Sequence, residues 1–92
     1  MIIEHQHNIV VHDNAVIGNN CIIRQGVTIG NRYMDRPTEA PVMGDNVNIG
    51  AGAKLLGKIT IGDNVNIGAN AVVIHDVPQN SLYVGFPKSI KV

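Results

Sequence analysis

The hydrophobic positions of the chain recur every six residues. From Ile49 to Val77, an aliphatic residue fills every sixth position, and a second small or branched apolar residue follows each one by four positions. The first core positions are Ile49, Leu55, Ile61, Ile67 and Val73, and the second core positions are Ala53, Ile59, Val65, Ala71 and Val77. This period matches neither an α-helix, with about 3.6 residues per turn, nor the alternation of an uninterrupted strand. It is the hexapeptide repeat, which predicts a parallel β-helix.

In such a helix each hexad forms one short strand and one tight turn. Three hexads close a triangular coil of about eighteen residues, so residues at the same phase stack and fill the interior. Successive coils pair as parallel strands about 4.8 Å apart. The turns need residues that tolerate positive φ, which explains the Gly, Asp and Asn at 44–46 and again at 62–64. One coil cannot bury its own face, so stability comes from stacking.

The same phase extends towards the start of the chain. The earlier first core positions are Val11, Ile17, Ile23 and Ile29, and the second are Ala15, Cys21 and Val27. Counting back one more hexad places His5 at a first core position and Ile9 at a second. The repeat therefore starts almost at the first residue, with nothing before it as a cap. Because an open coil end invites association, we expect the chain to be the core of a longer protein or to be covered by another chain.

The phase breaks once, between Ile29 and Met43. Residues 31–42 are mostly polar, contain two prolines and lack the apolar period, which predicts a loop inserted at one corner. Insertions on such repeats often mark the binding face. After Val77 the repeat stops, and residues 78–92 are predicted to close the end with a last strand and turn. Residues 1–92 are thus expected to form a single all-β domain.

Composition narrows the function classes. Seven basic and seven acidic residues balance, which argues against the basic surface of a nucleic-acid-binding protein. No apolar run approaches the roughly eighteen residues of a membrane span, and no signal peptide is visible. The single cysteine, Cys21, occupies a second core position and is expected to be a buried thiol. These features predict a cytoplasmic protein.

Four segments resemble the hexapeptide-repeat acyltransferases, and most closely their serine acetyltransferase branch with its short relatives from polysaccharide biosynthesis. They are residues 4–11 (EHQHNIVV), 25–30 (QGVTIG), 49–57 (IGAGAKLLG), and the pair 76–78 (DVP) and 85–87 (GFP). The resemblance implies a left-handed β-helix, a homotrimer, and active sites in the clefts between neighbouring prisms. It also implies acetyl-CoA as co-substrate, no metal, and transfer of the acetyl group to a small hydroxyl acceptor.

The resemblance assigns roles to individual residues. His5 matches the family's general base, which takes the hydroxyl proton as the oxygen attacks the thioester, and imidazole is neutral enough near pH 7 to do so. Glu4 stands where the family has an aspartate that helps to hold the acceptor, and His7 is a candidate neighbour of the acceptor. The positions assigned to CoA are Asn31, Ala51, Ala69 and Lys88.

The chain departs from the serine enzymes in its loop. Those enzymes have an Arg-His pair before the loop's second proline, whereas this chain has Glu39 and Ala40 before Pro41. Arg36 is the nearest guanidinium and is the remaining candidate for the acceptor. A serine carboxylate would face Glu39, so a saccharide hydroxyl stays open as acceptor. The aspartate that orients the family's histidine lies in a coil upstream of this sequence.

Two other classes stay open. One is a trimeric β-helix scaffold that is either non-catalytic or a truncated remnant of an acetyltransferase. The other is a zinc enzyme like the γ-class carbonic anhydrases, since His7 and His12 have the spacing of two of that family's ligands. Catalytic zinc needs three protein ligands, and the third histidine would lie before the start of this sequence. The acyltransferase interpretation places His12 in a turn and, like His75, facing solvent.

Overall fold

The computed structural model describes residues 2–3 and 9–85, as twelve strands of two or three residues each. No helix occurs in this part of the chain. The strands are β1 (Ile2–Ile3), β2 (Val10–Val11), β3 (Val16–Ile17), β4 (Ile22–Ile23), β5 (Thr28–Gly30), β6 (Val42–Met43), β7 (Asn48–Ile49), β8 (Lys54–Leu56), β9 (Thr60–Ile61), β10 (Asn66–Ile67), β11 (Val72–Val73) and β12 (Leu82–Tyr83).

From β1 to β11, consecutive strands belong in turn to the first, second and third of three parallel sheets. The first sheet has the order β1-β4-β7-β10-β12, the second has β2-β5-β8-β11, and the third has β3-β6-β9. Each sheet is one face of a triangular prism. Each strand from β1 to β8 pairs with the strand three further along the chain, whereas β10 pairs with β12. The predicted left-handed parallel β-helix of hexapeptide repeats is therefore confirmed.

Residues at the same phase stack along the prism. Ile49 lies opposite Ile67 and Leu55 lies opposite Val73, each pair eighteen residues apart in sequence. The first and second core positions from Cys21 to Val73 are buried and form one continuous hydrophobic core. Each fully buried aliphatic side chain contributes roughly 1.5–3 kcal/mol relative to exposure. The Cys21 thiol is buried in this core, as predicted.

The turns repeat as regularly as the core. Four asparagines with φ near +60° recur where the chain leaves the third sheet: Asn20, Asn46, Asn64 and Asn80. Asparagine tolerates this left-handed region better than most residues because its short polar side chain bonds locally. Carboxylates tie neighbouring turns together, since Asp45 Oδ1 accepts a bond from the Asn19 N–H at 2.7 Å. We call residues 18–20, 44–46, 62–64 and 78–80 the asparagine corner.

The spacing between paired residues departs from eighteen at three places. Ile17 lies opposite Met43, 26 residues away, because residues 31–41 form a loop between β5 and β6. Val42, which the sequence placed in the loop, begins β6. Near the end, Val77 bridges to Ile61. Val77 is therefore at a first core position of a shortened coil, and its assignment to a second core position was wrong.

The third departure is at the start. Ile3 lies opposite Ile23, twenty residues away. The count of six back from Val11 placed His5 at a first core position, and this assignment stays a prediction. His5 itself lies outside the described residues.

Candidate functional site

Two of the residues assigned to CoA lie side by side at one corner of the prism. The chain passes there from the first sheet to the second, at residues 24–27, 50–53 and 68–71, which we call the alanine corner. Ala51 and Ala69 occupy adjacent turns, and the Asn70 N–H donates to the Ala51 carbonyl at 2.9 Å. A Cβ added to Gly50 would lie 2.5 Å from the Ala69 nitrogen, so the two turns are in tight contact. Gly50, Ala51, Gly68 and Ala69 therefore place only small side chains at this point of contact.

Four other predicted site residues lie outside the described residues: Glu4, His5, His7 and Lys88. In sequence, Glu4 directly follows β1, a strand of the first sheet, and the later strands of that sheet lead into the alanine corner.

Asn31 and Arg36 lie at a different corner. The chain passes there from the second sheet to the third, at residues 12–15, 31–41, 57–59 and 74–76, which we call the loop corner. Asn31 Nδ2 donates to the Tyr33 carbonyl at 2.8 Å, which shapes the start of the loop. The four residues assigned to CoA are therefore not one cluster within a chain, because Asn31 is separated from Ala51 and Ala69 by the second sheet.

The loop covers a pocket of about 240 Å³. Its lining includes three cationic side chains and one carboxylate, which belong to Arg32, Arg36, Lys58 and Glu39. The Cζ atoms of Arg32 and Arg36 are each 5.0 Å from the centre of the Tyr33 ring. Stacking on the ring orients both guanidinium groups. Guanidinium binds carboxylate and phosphate with two parallel hydrogen bonds, so this pocket suits an anionic group.

Gly57 allows the loop to lie against the coil. Its φ is +95°, a backbone angle that residues with a Cβ rarely adopt. A Cβ at this position would be 3.2 Å from the Cβ of Arg32. Its N–H donates to the Gly30 carbonyl at 2.8 Å, directly before the loop begins. The glycine thus fixes where Arg32 leaves the prism.

His12 was expected to lie at a turn and face solvent, and the structure places it at a turn with only part of its side chain exposed. The side chain is half-buried, and its Nε2 lies 2.6 Å from the Pro37 carbonyl oxygen in the loop. Its Nδ1 accepts a bond from the Asn14 N–H at 2.9 Å. The β2–β5 register offered the signal, since Val11 pairs with Ile29 and His12 therefore lies beside the point where the loop starts. His75 is exposed, as predicted.

The described part of the chain was also compared with the zinc-enzyme alternative and with the requirements of a membrane span. Residues 2–3 and 9–85 contain no group of three or more His, Cys, Asp or Glu side chains placed to hold a metal ion. Both ring nitrogens of His12, one of the two histidines with zinc-ligand spacing, bond to protein groups. No helix there is long and apolar enough to cross a membrane.

Known proteins resemble the chain along nearly its whole length. The family model described as bacterial transferase hexapeptide (six repeats) matches residues 40–75, and that of the hexapeptide repeat of succinyl-transferase matches residues 8–32. The serine acetyltransferase of Staphylococcus xylosus is 49% identical over 90 residues, which cover 98% of this chain and 42% of the relative. The chain thus spans about two fifths of that relative.

Solved structures agree with the sequence matches. The serine acetyltransferase of Neisseria gonorrhoeae in complex with serine superimposes with a TM-score of 0.85 at 43% identity, covering 94% of this chain and 35% of that one. A serine acetyltransferase in complex with CoA gives a TM-score of 0.83 at 40% identity, covering 91% of this chain and 34% of that one. The chain belongs to the hexapeptide-repeat acyltransferase superfamily, in its serine acetyltransferase-like branch.

Proposed function

We propose that this chain is the β-helical part of an acetyl-CoA-dependent O-acetyltransferase whose acceptor is L-serine. The observation that carries the proposal is the match over 98% of the chain, at 49% identity, to a serine acetyltransferase. Related structures contain serine in one case and CoA in another. Because the chain spans only part of those proteins, its activity, substrates and partners are proposed from this likeness.

The charge of the loop pocket favours serine over a neutral sugar. Free serine carries one carboxylate and one ammonium group. Arg32 and Arg36 present guanidinium groups suited to the carboxylate, and Glu39 lines the same pocket and suits the ammonium. Glu39, which seemed from the sequence to oppose serine, then pairs with the charge of opposite sign. A neutral saccharide would make no use of these charges.

In the proposed reaction His5 is the general base. It accepts the proton of the serine hydroxyl as that oxygen bonds to the thioester carbonyl carbon. The tetrahedral intermediate then collapses, the carbon–sulfur bond breaks, and the CoA thiolate leaves and takes the proton. Such a base contributes typically about 10²–10⁴ in rate. Glu4 and His7 are proposed to lie near the acceptor.

The alanine corner is the proposed track for the extended arm of CoA. Ala51 and Ala69 let the arm approach the backbone, Asn31 completes the site from the loop corner, and Lys88 contributes charge for the phosphates. The alanine corner and the loop corner are different edges of one prism. Two neighbouring chains could together contact a ligand at both corners, which supports association of chains. A homotrimer is proposed from the resemblance to the family.

The test is a calorimetric titration of the chain with acetyl-CoA, with His5→Ala in parallel. We expect both proteins to bind acetyl-CoA, and only the unaltered chain to release thiol when serine is added. Saccharides replace serine in a matched assay. Binding without turnover with any acceptor would favour the scaffold alternative, and faster thiol release with a saccharide would refute serine as the acceptor.

A further inference from the structure

Two side chains of one turn connect the prism to the inserted loop. His12 and Asn14 follow β2 at the loop corner. His12 Nε2 lies 2.6 Å from the carbonyl oxygen of Pro37, and Asn14 Nδ2 donates to the carbonyl of Thr38 at 3.1 Å. Consecutive peptide groups of the loop are thus bound by two side chains of a single turn, which we call the latch.

The two hydrogen bonds of the His12 ring give each ring nitrogen a separate role. The Pro37 carbonyl can only accept, so Nε2 must carry a proton. The Asn14 N–H can only donate, so Nδ1 must be unprotonated. With these roles, Nε2 donates to the loop and Nδ1 accepts within the turn, so both ring nitrogens are in use.

The latch is anchored on a rigid backbone. The His12 N–H donates to the Ile29 carbonyl at 2.7 Å, and the His12 carbonyl accepts from the Ala15 N–H at 3.0 Å. The backbone bonds inside the loop are local, from Arg36 N–H to the Tyr33 carbonyl at 3.1 Å and from Glu39 N–H to the Arg36 carbonyl at 3.2 Å. These local bonds shape the loop and do not attach it to the prism. A backbone bond that does attach it lies at its end, from the Val16 N–H to the Pro41 carbonyl at 3.1 Å.

Among the described residues, the latch supplies the side-chain hydrogen bonds between the coils and the loop. The loop in turn supplies Arg32, Arg36 and Glu39 to the pocket. We infer that His12 and Asn14 are positioning residues that hold the loop where its charged side chains receive the acceptor. This inference rests on the proposed function, because the pocket is taken as the acceptor site.

The first experiment measures the loop directly, whether or not the chain is active. Amide hydrogen exchange is followed in the unaltered protein, in His12→Ala and in His12→Ala/Asn14→Ala. We expect exchange at Arg36 and Glu39 to be faster by about two- to tenfold in the single variant, the size of one net hydrogen bond, and faster again in the double variant. Exchange at Thr28 and Lys54, whose N–H groups bond within the coils, stays unchanged.

Two controls separate the latch from a general loss of stability. His75→Ala removes an exposed histidine at the same corner and is expected to leave the loop amides unchanged. His12→Gln keeps a donor and an acceptor and is expected to restore part of the protection. In the unaltered protein, nitrogen NMR is expected to show a proton on His12 Nε2. An Nε2 without a proton, unaltered loop exchange in the double variant, or equal acceleration at Thr28 and Lys54 would overturn the latch.

The second experiment asks whether the latch positions the acceptor site. We expect His12→Ala to raise the KM for serine by about two- to tenfold. The KM for acetyl-CoA should change less, since Asn31 directly follows β5 and the alanine corner is a separate edge. Faster loop exchange with an unaltered KM for serine would overturn the positioning role. An inactive unaltered chain would refute the proposed function alone, and the exchange rates would still decide the latch.

Discussion

Replacement of Gly57 by alanine tests how the loop is seated on the prism. Two costs are expected. A left-handed backbone costs a residue with a Cβ roughly 1–2 kcal/mol, and Gly57 has φ of +95°. The new Cβ would also lie 3.2 Å from the Cβ of Arg32, which must move, at a cost of about 1 kcal/mol. Alanine also lowers the conformational entropy of the unfolded chain, which stabilises the folded state by about 0.4–1 kcal/mol. We expect a net loss of about 2 kcal/mol.

Gly85→Ala is the matched control. Its φ of +88° is similar, but a Cβ at this position would meet no atom within 4 Å. It should therefore show the backbone cost alone, a loss of about 1 kcal/mol or less after the entropy gain. The difference between the two variants isolates the contact with Arg32.

Urea unfolding followed by circular dichroism measures these losses at one fixed chain concentration, because any oligomer makes stability depend on concentration. With a slope of about 1 kcal/mol/M for so small a protein, Gly57→Ala should lower the midpoint by about 2 M. Adding Arg32→Gly removes the opposing Cβ, so a double-mutant cycle should show Gly57→Ala to be less costly in that background. Equal losses in Gly57→Ala and Gly85→Ala, with no coupling to Arg32, would refute the reasoning.

Three further outcomes are expected. Leu55→Ala should lower the free energy of unfolding by about 2–5 kcal/mol in the same urea assay, because Leu55 is fully buried and the coils above and below prevent collapse of the cavity. Asp45→Ala should cost about 1 kcal/mol and Asp45→Asn less, since the amide keeps an oxygen for the Asn19 N–H; equal losses would show that this bond is not the cause. Arg36→Ala should raise the KM for serine at least tenfold and Arg36→Lys less, and an unchanged KM would remove Arg36 from the acceptor site.

The regular part of the fold could be predicted because a single constraint is repeated. Every hexad must place an aliphatic side chain inside, so a period of six in the sequence becomes an eighteen-residue spacing such as Ile49 to Ile67. The Asn and Gly turns follow from the same repetition, since each turn of the asparagine corner and of the alanine corner needs one residue with positive φ. Neither inference requires knowledge of distant contacts.

The shortened last coil could not be predicted from the period alone. Asp76 Oδ1 accepts a bond from the Thr60 N–H at 2.8 Å, and the Val77 N–H bonds to the Thr60 carbonyl at 3.0 Å. These bonds draw Val77 into register with Ile61. Because an apolar residue fits either core position, hydrophobicity does not reveal a shift of two residues.

The candidate site was less predictable because it lies where the repeat is interrupted. Resemblance located Ala51 and Ala69, whose turns keep the regular spacing, and the structure places them in contact along one edge. The latch joins His12 to Pro37 across 25 residues, and its partner is a loop carbonyl, which every residue type provides. No side-chain pattern in the sequence can encode such a partner. A regular coil fixes where the corner lies, and the irregular loop decides which polar side chains of that corner acquire a specific function.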